Sequence, residues 1–157
     1  MLGIREIRQE LSKSYFGEAW HGPSLKQALQ GVGEQEVWTR VHPEVHTVGE
    51  IVLHLRTWMQ SAEQRISGRM PFESVTDEQD WPSGSEAEDW SSLMNGLDAD
   101  FDQLLTAVGQ LEESELFDSI AGTKDNRFEL ILGILQHNIY HAGQIVLLRK
   151  LHAGGVR

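Results

Sequence analysis

Residues 128–151, FELILGILQHNIYHAGQIVLLRKL, decide how the chain folds. The stretch contains no proline, and its apolar side chains recur every three or four positions, the period of an α-helix. Asn126 stands before it as an N-cap, and Glu129 occupies the position from which a capping box returns a hydrogen bond. Arg149 and Lys150 sit in the last turn, where the helix dipole favours positive charge, and the run Ala153–Gly154–Gly155 is expected to end it. At about 1.5 Å per residue such a helix spans roughly 35 Å, enough to cross a small domain. Apolar residues from Phe128 to Leu148 occupy nearly its whole circumference, so burial on all sides is expected.

Two imidazoles interrupt that apolar surface. His137 and His141 are one helical turn apart on a single face, and Gln144 continues the stripe. A buried polar group without a partner costs on the order of 1–3 kcal/mol, so both rings need one. A divalent ion would take a lone pair from each; two hydrogen-bonded core histidines would satisfy the same pattern.

The bulk composition narrows the chemistry. The 157 residues are read as one domain, 1–157, long enough to enclose a core. The net charge of −11, with no cluster of Lys or Arg, speaks against a nucleic-acid partner. No apolar run is long enough to span a membrane, and the opening MLGIREIRQEL is charged where a secretory leader would be apolar. A cytoplasmic location is therefore expected. The absence of cysteine removes disulfides, thiolate metal sites and a cysteine nucleophile together. Any bound metal must then use nitrogen and oxygen ligands, which suits zinc, nickel, iron or manganese.

Outward from the final helix, three more long helices are expected. Ile4, Ile7, Leu11, Tyr15 and Phe16 mark an amphipathic helix over residues 3–16. A short helical piece at 25–30 follows Pro23 and Ser24, and the stretch 38–45 is ambiguous. Thr47 and Glu50 form a second capping box, opening a helix that runs to about Ile66 and stops at Gly68. A third helix is expected from Glu86 to about Val108, with Glu86, Glu88, Asp98, Asp100 and Asp102 on a solvated face. The connections 69–85 and 112–125 read as irregular, with an extended piece at 116–120. Four long helices without convincing strands predict an all-α four-helix bundle with long irregular connections. Bundles build metal sites from facing helices, so His54, mid-way along the second long helix, could meet the His137/His141 pair.

At this point the motifs carry a resemblance. TVGEIVLHL at 47–55 and QHNIYHAGQIVLLRK at 136–150 resemble the DinB/YfiT-like superfamily. That resemblance implies a four-helix bundle whose metal is held by one histidine of the second helix and the H-x3-H pair of the last. Its three ligands fall on His54, His137 and His141. It also implies transferases or isomerases that use small thiols such as bacillithiol or mycothiol, hydrolases, or DNA-damage-inducible proteins, commonly as homodimers.

A three-histidine site leaves an open coordination position, the arrangement of catalytic zinc. With zinc or nickel as the leading candidates and iron or manganese as further ones, it suits two reactions. One is thiol-dependent S-transfer to a small electrophile, with the low-molecular-weight thiol as cosubstrate. The other is hydrolysis of a small amide or ester. A non-catalytic metal-binding stress-response protein is the reading from another class. A zincin mechanism is disfavoured, since Asn138 stands where H-E-x-x-H has its Glu. Glu50 is a candidate general base, its simpler role being the capping box; Gln144 is a candidate to orient His141 or bind water. Trp20, Trp58 and Trp81 are read as core packing or pocket wall. Of the remaining histidines His46 is the nearest competitor as a ligand, while His21, His42 and His152 fall in loops or at helix ends. Metal binding is expected to weaken as pH falls through about 6, where imidazole takes a proton.

Overall fold

Capping chemistry sets the helix boundaries. The computed structural model describes residues 3–68, 75–84 and 89–154. Helix α1 (Ile4–Phe16) opens where Gly3 N–H donates to Glu6 and Ile4 N–H donates to Glu113 from a distant turn. The short α2 (Leu25–Leu29) carries a Ser24/Gln27 capping box, and α3 (Glu34–Val37) is a single turn. Helix α4 (Val48–Ser67) starts at the expected box: Thr47 N–H donates to Glu50 at 2.8 Å, and Glu50 N–H donates to the Thr47 hydroxyl at 3.2 Å. It ends at Gly68, whose φ of 65° is the left-handed conformation that only glycine adopts without strain. After α5 (Asp77–Asp80), Asp89 caps α6 (Trp90–Gly109). Helix α7 (Arg127–Gly154) opens with the reciprocal Asn126/Glu129 pair at 3.0 and 2.9 Å.

The long helices α1, α4, α6 and α7 form a closed ring of neighbours, α1 against α6, α6 against α4, α4 against α7 and α7 against α1. Helix α2 lies on α7 beside them. The protein is an all-α four-helix bundle. Its shared interior joins Leu11 and Tyr15 of α1, Ile51, Leu55 and Met59 of α4, Leu97, Phe101 and Leu104 of α6, and Ile131 and Ile145 of α7. Tyr15 stacks on Phe101 with ring centres 3.9 Å apart and donates its hydroxyl to Asp98 at 2.6 Å.

Several expectations are corrected. Helix α7 is not buried all round: Tyr140 is 63% and Leu147 58% exposed, because α1, α2 and α4 cover only part of its circumference. Ala153 and Gly154 belong to the helix, and Gly155 lies outside the described residues. Leu116–Ile120 is not a strand; Glu113–Glu115 form a 3-10 turn, and a single bridge pairs Ser119 with Asn126. Asp100 is not solvated but buried at 7% exposure, accepting from Arg56 at 2.6 Å and Gln60 at 2.9 Å. The expected start of the third helix at Glu86, with Glu88, falls outside the described residues. Trp20 belongs neither to the core nor to a pocket wall but is almost wholly exposed.

Candidate metal centre

Two neighbouring helices bring the histidines together. Helix α4 presents His54 two turns beyond its Thr47 cap, and α7 presents His137 and His141 one turn apart toward it. The Nε2 atom of His137 lies 2.9 Å from Nε2 of His54 and 3.0 Å from Nε2 of His141. His54 is 5% exposed, His141 2%, and His137 is half-buried.

The outer nitrogens decide which way the lone pairs point. His54 Nδ1–H donates to the main-chain carbonyl of Asp80 at 2.6 Å, and His141 Nδ1–H donates to the Gln144 side-chain oxygen at 2.6 Å. Both rings therefore turn an unprotonated Nε2 toward His137. Burial keeps the cluster neutral. It pushes His137 down to about 3, helped by the proximity of His141 and His54. It pushes His141 down to about 4, against the bond to Gln144. Burial also lowers His54, partly offset by Asp80.

Three converging neutral imidazoles fit a divalent ion. Zinc at about 2.0–2.1 Å from each of three nitrogens in tetrahedral geometry separates those nitrogens by roughly 3.3 Å. The observed 2.9 and 3.0 Å need only a small outward shift. The three ligand atoms lie within 4.8 Å of one another. The family model of the DinB superfamily matches residues 19–145, most of the chain. The chain belongs to the DinB superfamily. Searches of curated proteins and of solved structures each found no match.

Around the centre of this DinB-superfamily chain, the expected residues divide. Gln144 holds His141, one of the two roles foreseen for it. Glu50 sits in the cap, where its oxygens take the Thr47 N–H and the Arg40 guanidinium and face His46 Nδ1 at 3.4 Å. Burial raises its pKa, but the Thr47 N–H and Arg40 outweigh that and hold the carboxyl below its usual value. His46 does not join the cluster; it stacks on Trp81 with ring centres 3.6 Å apart. His21 and His42 are exposed, and His152 is half-buried in the last turn of α7.

Asp80 and the stacking of Trp81 were not foreseen. The Asp80 carboxylate lies 3.2 Å from His54 Nδ1 and accepts the Trp58 indole N–H at 2.6 Å. Trp81 lies flat on the His54 ring, 4.0 Å away at an 8° interplanar angle. Both belong to the connection after α4, in which the sequence offered Trp81 as core packing or pocket wall and nothing that marked Asp80. Among the described residues, no helix is long and apolar enough to cross a membrane.

Proposed function

We propose that this protein is a metal-dependent enzyme, a thiol-dependent S-transferase acting on small electrophiles, with the ion held by His54, His137 and His141. The observation that carries the reading is the convergence of three Nε2 atoms from two helices, two of them turned inward by Nδ1 acceptors. A divalent ion there, zinc or nickel first and iron or manganese next, supplies a Lewis acid with an open position at which a thiol can react as thiolate. The chain has no cysteine, so the sulfur must arrive with a low-molecular-weight thiol cosubstrate. Asp80 and Gln144 hold two of the imidazoles in the tautomer that binds metal, and Trp81 shields one face of His54 from water. Among the described residues, the two carboxylates nearest the His54 face are engaged, Asp80 with His54 and Trp58, Glu50 with Arg40 and its cap. Neither is free as the general base of a hydrolase, which favours the transferase reading. A homodimer in the cytoplasm, without nucleic-acid or membrane partners, completes the proposal.

The test is metal analysis of protein purified without chelator, then incubation of the loaded protein with a model alkylating electrophile, with and without a small thiol. Consumption of the electrophile that needs both metal and thiol is expected. Hydrolysis of a model ester or amide without thiol would replace the transferase by a hydrolase. Metal binding without either turnover would leave a binding protein.

A further inference from the structure

The described part of the connection between α4 and α6, residues 75–84, makes a dense set of specific contacts with the face of α4 that carries His54. Asp80, the last residue of α5, reaches α4 through both its main chain and its carboxylate, which also lies 3.2 Å from His54 Nδ1. Its main-chain carbonyl takes the His54 Nδ1–H at 2.6 Å, and its carboxylate takes the Trp58 indole N–H at 2.6 Å. His54 and Trp58 are one turn apart on α4, so a single residue bridges two rungs of the same helical face. Trp81 then lies between two imidazoles, 4.0 Å from His54 and 3.6 Å from His46, parallel to both within 8°.

The strap is also pinned farther along. A Cβ at Gly84 would lie 2.1 Å from the Trp38 ring, and one at Gly49, in the first turn of α4, 2.4 Å from the same ring. Trp38 thus fills a slot between the strap and α4 that only two glycines leave open.

We propose that Asp80 is the positioning residue of the three-histidine centre: its carboxylate, locked to Trp58, holds its own carbonyl against His54 and so aims the His54 Nε2 at the other two ligands. The inference rests on the metal-centre reading above. It assigns a role to a residue far from every ligand in sequence, and it makes Trp58 part of the centre without contact to the ion. The carbonyl cannot be removed by substitution, but the carboxylate–indole bond that holds it can be broken from either side. Asp80→Ala removes the acceptor. Trp58→Phe removes the donor and keeps an aromatic ring in place. Asp80→Asn retains an oxygen for the indole N–H and is the conservative rescue.

The experiment has two readouts on the full-length protein. The first is zinc affinity by competition titration. Asp80→Ala and Trp58→Phe are each expected to weaken it at least tenfold, the range typical of groups that orient metal-binding histidines. Asp80→Asn should stay within about threefold, and the double variant should be no weaker than Asp80→Ala, which already removes the bond to Trp58 together with the carboxylate 3.2 Å from His54 Nδ1. The second readout is proton–nitrogen NMR of the imidazoles in metal-free protein. His54 is expected as the Nδ1–H tautomer in the parent and in Asp80→Asn, and as a tautomer mixture in Asp80→Ala. Unchanged affinity in Asp80→Ala, losses that multiply in the double variant, or an Nε2–H tautomer in the parent would each overturn the role. If Asp80→Ala does not fold, Trp58→Phe and Asp80→Asn still decide. A parent that binds no zinc but shows the Nδ1–H tautomer would instead overturn the metal reading.

Discussion

The Nε2 atoms of His54 and His137 lie 2.9 Å apart although 83 residues separate them along the chain. Neither helix needs that approach for its own stability. It follows from α4 and α7 being neighbours in the bundle and from both histidines facing the shared interface. Burying imidazoles at such a seam is unfavourable unless something takes their lone pairs.

Gln144 is expected to matter to the metal through His141. Gln144→Leu removes the acceptor of the His141 Nδ1–H while preserving volume and helix propensity. Zinc affinity should fall about tenfold, less than on loss of His141 itself. Titration of both variants checks the order.

A second expectation concerns the ion pair of the half-buried Arg56 with the buried Asp100. Asp100→Ala leaves the guanidinium and Gln60 without their acceptor across the α4–α6 interface. Because water reaches the half-buried guanidinium, the loss should be about 1–3 kcal/mol. Urea unfolding of metal-free protein should show that loss. Asp102→Ala, on the exposed side of α6, should change stability by under about 0.5 kcal/mol.

The pH dependence follows from the depressed histidines. His137 at about 3 and His141 at about 4 stay neutral in the folded metal-free protein, whereas an unfolded chain protonates its histidines near 6.5. Between those values the unfolded state binds more protons, so stability is full above about 6.5 and is lost as pH falls toward 4. Replacing His137 by Leu should flatten that slope in urea titrations at pH 7, 6 and 5. The same burial should carry the acid loss of metal binding below the value of about 6 expected for ordinary imidazoles.

The uncovered face of α7 bears on assembly. Tyr140, Leu147 and Leu151 are exposed along it, and Cβ atoms at Gly133 and Gly143 would meet nothing. Light scattering is expected to give twice the chain mass, and Leu147→Glu is expected to return it toward the monomer. A parent mass equal to one chain at every concentration would refute the homodimer.

What could be read in advance was what is local. Thr47/Glu50 and Asn126/Glu129 announced two helices because a capping box lies within four residues. The histidine pair on α7 was visible as spacing, and His54 joined it as a mid-helix histidine on a facing helix of the bundle and then through the family motif. What stayed hidden depends on neighbours. Asp80 meets His54 across 26 residues from a helix of four, too short to leave a period in the sequence. Asp100 looked solvated because its acidic neighbours do, and only the position of Arg56 on α4 reveals otherwise. The apolar circumference of α7 could not show which side lacks a covering helix.

The most direct test of the metal centre is isothermal titration of zinc into metal-free protein, run on the parent and on four single alanine variants. One ion per chain is expected in the parent. Affinity should fall at least tenfold in His54→Ala, His137→Ala and His141→Ala, and stay nearly unchanged in His46→Ala, whose ring packs on Trp81 outside the cluster. Zinc binding that survives His54→Ala but is lost in His46→Ala would contradict the three-histidine centre.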